Sequence, residues 1–357
     1  MRFNISPEHV RAARERLQAV LAETPWPGAW PDRSAACLPV EGKACLRYYP
    51  ATTEPVARPL LLVYSLVNRP QVLDIGPDDS FIRRLQGLGH PVYLMDWGRP
   101  DAADAGVSLA DYVCGYLRCA VSLVRQHQAA GRIDLLGICQ GGGLALCLAS
   151  IEPRMFQRLV TLVTAVDFHT PGDVLSRMAR ALDLRGLLAP DGNVPGYRLA
   201  GLFERLRPLR VAAAKRSPLP VLLGAPCAER ERLLRLLAWQ GDYPDQAGRA
   251  WLEWITACYR ENALVNGTLV LDGRPVDLRR LRLPILNVYA RDDHLVPVAA
   301  ARALGQLTDG RRYRDLEVPG GHLGVFAGRH GLATVPAAIS AFLRVDAKKK
   351  PLLRVPR

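Results

Sequence analysis

A cysteine between two glycines is the residue whose sequence surroundings most clearly indicate a reactive side chain. Cys139 lies at the centre of the run Gly137–Gly141, which reads Gly-Ile-Cys-Gln-Gly. A glycine two residues before and two residues after a nucleophile is typical of a nucleophile elbow, a tight turn from strand to helix that exposes the attacking side chain. The N-terminus of the helix that follows would stabilise a thiolate and later an oxyanion. The pattern therefore predicts Cys139 as a nucleophile.

A nucleophile that attacks a carbonyl needs N–H donors for the oxyanion that develops. The backbone N–H of Gln140 directly follows the nucleophile and is expected to be one donor. A second donor is expected from the loop after the first predicted strand of the parallel sheet, and the N–H of Val67 is the candidate. Asn68, in the same loop, is a candidate for supporting the site from close by.

An acid and a histidine complete this kind of site, and they follow the nucleophile in that order along the chain. Asp292 and Asp293 come directly after a predicted strand, where an acid that orients a histidine belongs, and either could serve. His322 lies in a glycine-rich loop after the next predicted strand, where the base belongs. His294 adjoins Asp293 as a candidate supporting residue. Taken singly, Asp293 would also suit a helix N-cap, and His322 would suit an ordinary loop position. The order of cysteine, acid and histidine along the chain favours a catalytic site instead.

The choice of cysteine as nucleophile favours acyl thioester chemistry. When a thiolate attacks a thioester, one thioester replaces another, so the acyl-enzyme forms with little change in energy and remains activated for transfer to a hydroxyl. A serine nucleophile would form a less reactive oxoester. Cysteine hydrolases that act on lactones use the same kind of nucleophile, and this alternative stays open on the residues alone.

Strands and helices alternate on both sides of Cys139, which predicts an α/β fold with a mostly parallel sheet and helices on both faces. The predicted strands are Leu60–Ser65, Pro91–Met95, Ile133–Gly137, Leu159–Thr164, Pro284–Tyr289 and Tyr313–Val318. The predicted helices are Ser80–Leu88, Leu109–Gln128, Gly141–Ile151, Pro297–Leu307 and Thr334–Leu343.

A long block without this alternation interrupts the sheet. The block is mostly helical in pattern, which predicts a cap inserted over the active face, with large apolar residues such as Trp239 and Trp251 on its surface. A separate helix is predicted near the start of the chain, over Pro7–Leu21. The predicted parts are an N-terminal helix and leader at 1–58, a catalytic core at 59–170 and 284–345, the cap at 171–283 and a basic tail at 346–357.

The composition excludes several classes of protein. The chain has 357 residues, of which 49% are hydrophobic, so it can form a large core and is not disordered overall. The net charge of +13 comes from arginines scattered along the chain, which suits anionic ligands but predicts no nucleic-acid surface. No apolar run approaches the roughly 18 residues that cross a bilayer, and no secretory signal is visible. The eight cysteines include no CxxC pair, which predicts reduced thiols in the cytoplasm and no metal site.

Segments spread along nearly the whole chain form a specific combination of motifs. They are Leu61–Pro70, Tyr93–Asp101, Leu135–Gly142, Val166–Phe168 with Thr170 and Pro171, Asn193–Gly196, Trp239 with Asp245–Gly248, Asp293–Pro297 and Gly320–Gly324. Together they resemble the catalytic subunit of class III poly(3-hydroxyalkanoate) synthases, a family with the α/β-hydrolase fold. Ala165 stands where this family would have proline, but that position is none of the three predicted site residues.

The resemblance implies a role for each residue of the site. Cys139 is the nucleophile, His322 the base that activates it, and Asp293 the acid, to which the family also assigns activation of the incoming 3-hydroxyacyl hydroxyl. Asp96 and Trp97 lie after a strand on the active-face side and are candidates for supporting the site. A packed loop anchor is an equally good interpretation of these two residues.

The resemblance also implies a substrate and partners. A synthase of this kind transfers 3-hydroxyacyl groups from coenzyme A thioesters to a growing polyester, so coenzyme A is part of the substrate and a product, and no cofactor or metal is expected. A non-catalytic synthase subunit, a homodimer or hetero-oligomer, and a location on polyester granules in the cytoplasm are expected. The alternatives are a cysteine hydrolase of the dienelactone type, which typically lacks so large a cap, and an inactive hydrolase-fold scaffold on granules.

Overall fold

One eight-stranded sheet forms the centre of the computed structural model, which describes residues 34, 36–55, 58–76, 78–206 and 227–344. The strand order is β1-β2-β4-β3-β5-β6-β9-β10. The strands are β1 (Ala36–Pro39), β2 (Cys45–Tyr49), β3 (Leu60–Val63), β4 (Val92–Asp96), β5 (Ile133–Ile138), β6 (Phe156–Leu162), β9 (Ile285–Ala290) and β10 (Tyr313–Val318). The strands from β4 to β10 in this order run parallel, whereas β1 and β2 are antiparallel to their neighbours. The predicted α/β class is confirmed.

Helices cover both faces of the sheet, and a helical block separates β6 from β9. The helices of the core are α1 (Phe81–Gly87), α2 (Arg118–His127), α3 (Gln140–Ile151), α9 (Val298–Leu307), α10 (Gly324–Ala327) and α11 (Arg329–Arg344). The block between β6 and β9 contains α4 (Val174–Ala181), α5 (Gly196–Arg205), α6 (Cys227–Gly241), α7 (Gly248–Trp254), α8 (Ala263–Asn266) and a two-stranded hairpin of β7 (Val270–Leu271) and β8 (Arg274–Pro275). We call this block, residues 171–283, the cap.

Strand β3, at the centre of the sheet, is apolar throughout because both of its faces are covered. Along β3, Leu61 and Val63 belong to the hydrophobic cluster on one face, and Leu60 and Leu62 belong to the cluster on the other. Alternate side chains of a strand point to opposite faces, so a strand buried on both sides has no polar face. The parallel register also places Val63 beside Gly137, and the loops after β3 and β5 therefore begin next to each other.

The predicted boundary between an N-terminal leader at 1–58 and a core that starts at residue 59 is wrong, because the sheet begins earlier in the chain. Strands β1 and β2 lie within the segment that was predicted as a helix and leader, and β2 pairs with β4 over Cys45–Tyr49. Both strands are short, and β1 alternates half-buried with exposed residues, so neither shows the continuous apolar run of the central strands. The predicted helix Pro7–Leu21 and the basic tail at 346–357 lie outside the described residues.

The helix predicted at Leu109–Gln128 is divided into two types of turn. Residues Asp111–Leu117 form π-helical turns, and α2 continues from Arg118. A π-turn inserts one extra residue into a helix. Val113 and Leu117 in the π-helical turns and Val124 in α2 are all buried.

The large apolar residues of the cap face inward rather than outward. Trp239 and Trp251, predicted on the cap surface, are both buried. The large apolar side chains that are exposed on the described part of the cap are Val174, Tyr197 and Val270. The tryptophans face inward because the cap has to cover an apolar cavity in the core, which is described below. Within the described residues, no helix is both long and apolar enough to span a membrane.

Within the described residues, Asp134 places a carboxyl group inside the sheet without a well-aligned hydrogen-bond partner. Asp134 is fully buried near the start of β5, and both of its carboxyl oxygens lack a partner. Burial raises the pKa of Asp134 to about 7, although the positive charges of Arg158 and Arg58 act against it. Desolvation penalises the charged form of a carboxyl group, so this position costs stability whenever the group ionises.

We predict that Asp134→Asn stabilises the protein more at pH 8 than at pH 5. In the unfolded chain an aspartate ionises with a pKa of about 3.9, whereas the folded group holds its proton until about pH 7, so folding becomes less favourable as pH rises through that window. Asparagine removes the titration, and its gain in unfolding free energy should be larger at pH 8 by about 1 kcal/mol or more. Urea unfolding of both proteins at the two pH values measures this, and an equal gain at both would contradict it.

Candidate active site

Cys139 occupies a strained turn between β5 and α3. Its backbone has φ 55° and ψ −126°, a conformation that residues other than glycine rarely adopt and that persists only where the surroundings hold it. The N–H of Cys139 donates to the carbonyl of Leu162 in β6, at 2.9 Å. This anchor, together with the helix that starts at Gln140, places the thiol at the carboxyl-terminal edge of the sheet.

The glycines around Cys139 are required by close backbone contacts. A Cβ on Gly137 would lie 2.4 Å from the Cα of Gly142, and one on Gly141 would lie 2.2 Å from the carbonyl oxygen of Val63. A Cβ on Gly142 would lie 1.9 Å from Oγ1 of Thr164. The first turn of α3 therefore packs directly against β3, β5 and the end of β6, and no side chain fits between them.

His322 and Asp293 meet in the loops after β10 and β9. Nδ1 of His322 donates to Oδ2 of Asp293 at 2.8 Å, and the two side chains are 7% and 1% exposed. The His322 ring and Cys139 line the same cavity, close enough for the thiol to influence the pKa of the imidazole. Asp292, the other candidate acid, is exposed and accepts from the N–H of Gly320 at 3.2 Å. The contact with the histidine therefore belongs to Asp293.

The charges of Cys139, His322 and Asp293 shift the pKa values of the acid and the histidine. Burial would raise the pKa of Asp293, but the charge and hydrogen bond of His322 and the N–H groups of Val296 and Leu295 lower it below its usual value. Burial would lower the pKa of His322, but the negative charges of Asp293 and Cys139, and its hydrogen bond to Asp293, raise it well above its usual value. The site thus favours the charged imidazolium form of His322.

The loop after β3 is held by the side chain of Gln140. Its Oε1 accepts from the N–H of Leu66 at 3.0 Å and from Oγ of Ser65 at 3.2 Å. The N–H of Val67, a predicted oxyanion donor, donates to Oγ of Ser65 at 3.1 Å. The Gln140 side chain thus has a positioning role that sequence analysis did not predict, and the Val67 N–H is directed at a hydroxyl in this structure.

A cavity of about 570 Å³ opens above these residues. Cys139, Gln140 and His322 contribute to its floor, while its walls and roof come largely from the cap, including Trp251 and Trp254. The cap is attached to the core at residues 101–107: for example, Asn193 Nδ2 donates to the carbonyl of Asp101 at 2.6 Å. The thiol therefore faces a mostly apolar space under the cap.

The predicted supporting residues fall into two groups. Asn68 and His294 line the cavity, as does Val67. Asp96 and Trp97 are buried outside the described cavity lining and anchor loops. Asp96 accepts from Arg47 at 3.0 Å, and the indole N–H of Trp97 donates to the carbonyl of Tyr64 at 3.0 Å.

Two tyrosines near Cys139 were not predicted. Tyr64 and Tyr259 both line the cavity. Burial, and then the negative charge of Cys139, raise the pKa of each phenol well above its usual value, so both stay neutral. Tyr64 directly follows β3, which offered a signal, but Tyr259 lies in the π-helical turns Ile255–Arg260 of the cap, whose extra residue no periodic pattern indicates. Among the described residues, no cluster of side chains is suited to a metal ion.

Comparison with known proteins defines the class of this chain. Residues 60–328 match a family model described as the alpha/beta hydrolase fold. Solved structures agree on the fold: a putative non-heme bromoperoxidase from Mycobacterium tuberculosis aligns with a TM-score of 0.55 at 13% identity, covering 86% of this chain and 98% of that one. A hydrolase from Pseudomonas aeruginosa aligns with a TM-score of 0.52 at 16% identity, covering 87% and 98%. The chain is thus an α/β hydrolase in fold.

Relatives in sequence narrow the class to a family. The chain is 39% identical to the "Poly(3-hydroxyalkanoate) polymerase subunit PhaC" of Thiocystis violacea over 305 residues, which cover 85% of this chain and 86% of the relative. It is 40% identical to the protein of that name in Allochromatium vinosum over 285 residues, 80% of each chain. The chain belongs to the PhaC family of poly(3-hydroxyalkanoate) polymerase subunits, which confirms the resemblance seen in the sequence.

We predict that Gly142→Ala lowers the unfolding free energy by about 1–3 kcal/mol, because the new methyl group overlaps Thr164. Gly87→Ala is the matched control, since nothing lies within 4 Å of a Cβ at that end of α1, and it should be neutral or slightly stabilising. Urea unfolding of both variants and the parent measures the difference. Equal stability of the two variants would mean that the first turn of α3 is not tightly packed.

Proposed function

We propose that this chain is a polyester synthase that builds poly(3-hydroxyalkanoate) from 3-hydroxyacyl coenzyme A thioesters through a covalent acyl group on Cys139. The observation that carries the proposal is Cys139 beside the hydrogen-bonded pair of His322 and Asp293 under an apolar cap, in a member of the PhaC family. In this proposal the three residues form a catalytic triad, and no cofactor or metal takes part.

In the first step, the thiolate of Cys139 attacks the carbonyl carbon of the substrate thioester. A tetrahedral oxyanion forms, which the N–H of Gln140 and that of Val67 would stabilise, and the bond to the coenzyme A sulfur then breaks. The departing thiolate takes the proton held by His322. The acyl group is now attached to Cys139 as a thioester, and free coenzyme A is the product.

In the second step, a hydroxyl group of the next 3-hydroxyacyl unit attacks the thioester on Cys139. His322 takes the hydroxyl proton as the new ester bond forms, and the bond to the sulfur of Cys139 breaks. The buried carboxylate of Asp293 stabilises the imidazolium produced in this step, with its hydrogen bond to Nδ1 of His322. The cycle returns Cys139 to a thiolate next to a charged histidine.

The cap supports polymerisation rather than hydrolysis. An acyl group on Cys139 is lost if water reaches it before the hydroxyl of the next unit. The cavity is roofed by tryptophans and leucines of the cap, which leave few polar groups to hold water near the thioester. A polyester chain is itself mostly apolar, so the same walls suit the product.

Membership in the PhaC family supports a partner subunit and a cellular location for this protein. The relatives are named as polymerase subunits, which supports assembly with a second, non-catalytic subunit or a second copy of the chain. We further propose action in the cytoplasm at the surface of polyester granules. Because the cavity lies beneath the cap, substrate must pass the cap to reach Cys139, and a partner that favours an open cap would accelerate the reaction.

We predict that Cys139→Ala lowers the rate of coenzyme A release from 3-hydroxybutyryl-CoA by about 10³-fold or more, since the covalent step is lost. Cys139→Ser should also be severely impaired, because a hydroxyl is far less acidic than a thiol. Cys119→Ala is the control: Cys119 is half-buried on α2, away from the cavity, and its loss should be tolerated. Coenzyme A release and polymer mass are measured together at micromolar protein concentration.

The products of the parent protein separate the alternatives. A polyester synthase releases coenzyme A and accumulates polymer. A hydrolase of the dienelactone type would release coenzyme A with free 3-hydroxybutyrate and no polymer, and an inactive scaffold would release none. Substantial turnover in Cys139→Ala would overturn the assignment of the nucleophile.

We predict a lag in polymer synthesis by the isolated chain that shortens as protein concentration rises or as partner subunit is added. The physical reason is that a closed cap limits access to Cys139 until association shifts the cap toward an open state. Time courses of coenzyme A release at several protein concentrations measure the lag. Full activity without a lag at high dilution would show that the cap needs no partner.

A further inference from the structure

We propose that Gln246, in the cap, is a positioning residue for the oxyanion hole. Its side-chain amide Nε2 donates to the carbonyl oxygen of Leu66 at 2.7 Å. That carbonyl belongs to the same peptide unit as the N–H of Val67, the candidate oxyanion donor. A residue of the cap thus holds the carbonyl of the peptide whose N–H is the candidate oxyanion donor. The inference rests on the proposed acyl chemistry of Cys139, though not on polyester synthesis.

The Leu66–Val67 peptide is held on both sides. Gln246 binds its carbonyl, while its N–H donates to Oγ of Ser65 at 3.1 Å. Ser65 in turn donates to Oε1 of Gln140, which also accepts from the N–H of Leu66. The orientation of the peptide plane is therefore fixed by one contact from the cap and by a set of contacts that begins at the residue after the nucleophile.

Gln246 is itself rigidly placed. It is 5% exposed, and its backbone pairs in both directions with Val194, at 2.9 and 3.0 Å. Next to this pair, the N–H of Gly196 donates to Oδ1 of Asp245 at 2.8 Å, and the N–H of Gly248 donates to Oδ1 of Asn193 at 3.3 Å. These hydrogen bonds join residues 193–196 to residues 245–248 of the cap, and they fix the position from which the amide of Gln246 reaches the core.

The hydrogen bond from Gln246 to the Leu66 carbonyl affects the reaction when negative charge develops on the carbonyl oxygen of the substrate. In this structure the Val67 N–H bonds to a neutral hydroxyl. When a thioester carbonyl becomes an oxyanion, the same N–H can exchange that hydroxyl for a full negative charge, a much stronger hydrogen bond. A peptide whose carbonyl is already held by Gln246 has only to exchange the partner of its N–H, and such preorganisation is a large part of oxyanion stabilisation.

The contact also connects the position of the cap to the chemistry. Gln246 and Leu66 are 180 residues apart along the chain, and they meet only when the cap is docked on the core. A cap that lifts away releases the Leu66 carbonyl, and the oxyanion hole loses one of its supports. The site thus has its full acylating power only with the cap in place, when the acyl group is also sheltered from water.

The test compares two reactions of Cys139 that differ in their need for an oxyanion hole. Acylation by p-nitrophenyl butyrate forms a tetrahedral oxyanion, and its burst of p-nitrophenolate reports the step. Alkylation by iodoacetamide forms a carbon–sulfur bond and releases iodide with no oxyanion, so it reports only the thiolate. Gln246→Met keeps the length of the side chain but removes the donor. We expect acylation to fall by about 10-fold or more while alkylation changes less than about 2-fold.

Arg235→Met is the matched control. Arg235 also reaches from the cap to a core carbonyl, that of Ile75 at 3.0 Å, which lies nine residues beyond Leu66 and outside the peptide that carries the Val67 N–H. The Arg235→Met variant should keep the rates of acylation and alkylation within about 2-fold of those of the parent. With 3-hydroxybutyryl-CoA as substrate, Gln246→Met should lower kcat by a similar factor to acylation and leave KM within about 3-fold, since the hydrogen bond that Gln246 supports, from the Val67 N–H to the oxyanion, forms only in the transition state.

Each outcome decides the matter. Unchanged acylation in Gln246→Met, an equal fall in acylation and alkylation, or an equal effect of Arg235→Met would each overturn the proposal and indicate a general packing role. If the parent is acylated by the aryl ester and Gln246→Met is slow, but the parent makes no polymer, the positioning role stands and the proposed function fails. A parent that is alkylated but never acylated would overturn both.

Discussion

The strained turn at Cys139 is the constraint on which the rest of the site depends. A non-glycine residue at φ 55° needs neighbours that hold it there. The hydrogen bond to Leu162 and the glycines at 137, 141 and 142 provide this, because they allow the first turn of α3 to lie in direct contact with three strands. The same contact brings Gln140 within reach of the loop after β3. One backbone conformation therefore positions the nucleophile, the helix N-terminus beside it and the candidate oxyanion donors.

The parallel sheet converts this local geometry into a complete site. Strands β5, β9 and β10 end at the same edge, so the residues that follow them meet although they are far apart in the chain. His322 and Asp293 are almost fully buried and are charged in opposite senses, which each tolerates only because the other is present. Their opposite charges and their hydrogen bond outweigh the effect of burial, which is why the pKa of the histidine rises while that of the acid falls.

The cap has two roles that are physically linked. It provides the apolar roof of the cavity, with the tryptophans turned inward, and it presents Gln246 to the loop that carries Val67. In the proposed reaction, an acyl thioester would thus be formed and protected in the same arrangement of the chain. The π-helical turns of the cap add Tyr259 to the cavity wall near Cys139. A family of polymerase subunits has reason to combine shelter from water with control of acylation, since an exposed acyl group would be lost to hydrolysis.

The sequence by itself determined the α/β class, the helical insertion, the turn at Cys139 and the order of acid and histidine, since each of these depends on residue types close together in the chain. Glycine spacing reports a tight backbone contact, and apolar runs report strands buried on both faces. Only the tertiary structure decided that Asp293 rather than Asp292 meets His322, that β1 and β2 extend the sheet, and that Gln246 holds Leu66. These depend on how distant segments dock, and a contact across 180 residues leaves no local pattern from which it could be predicted.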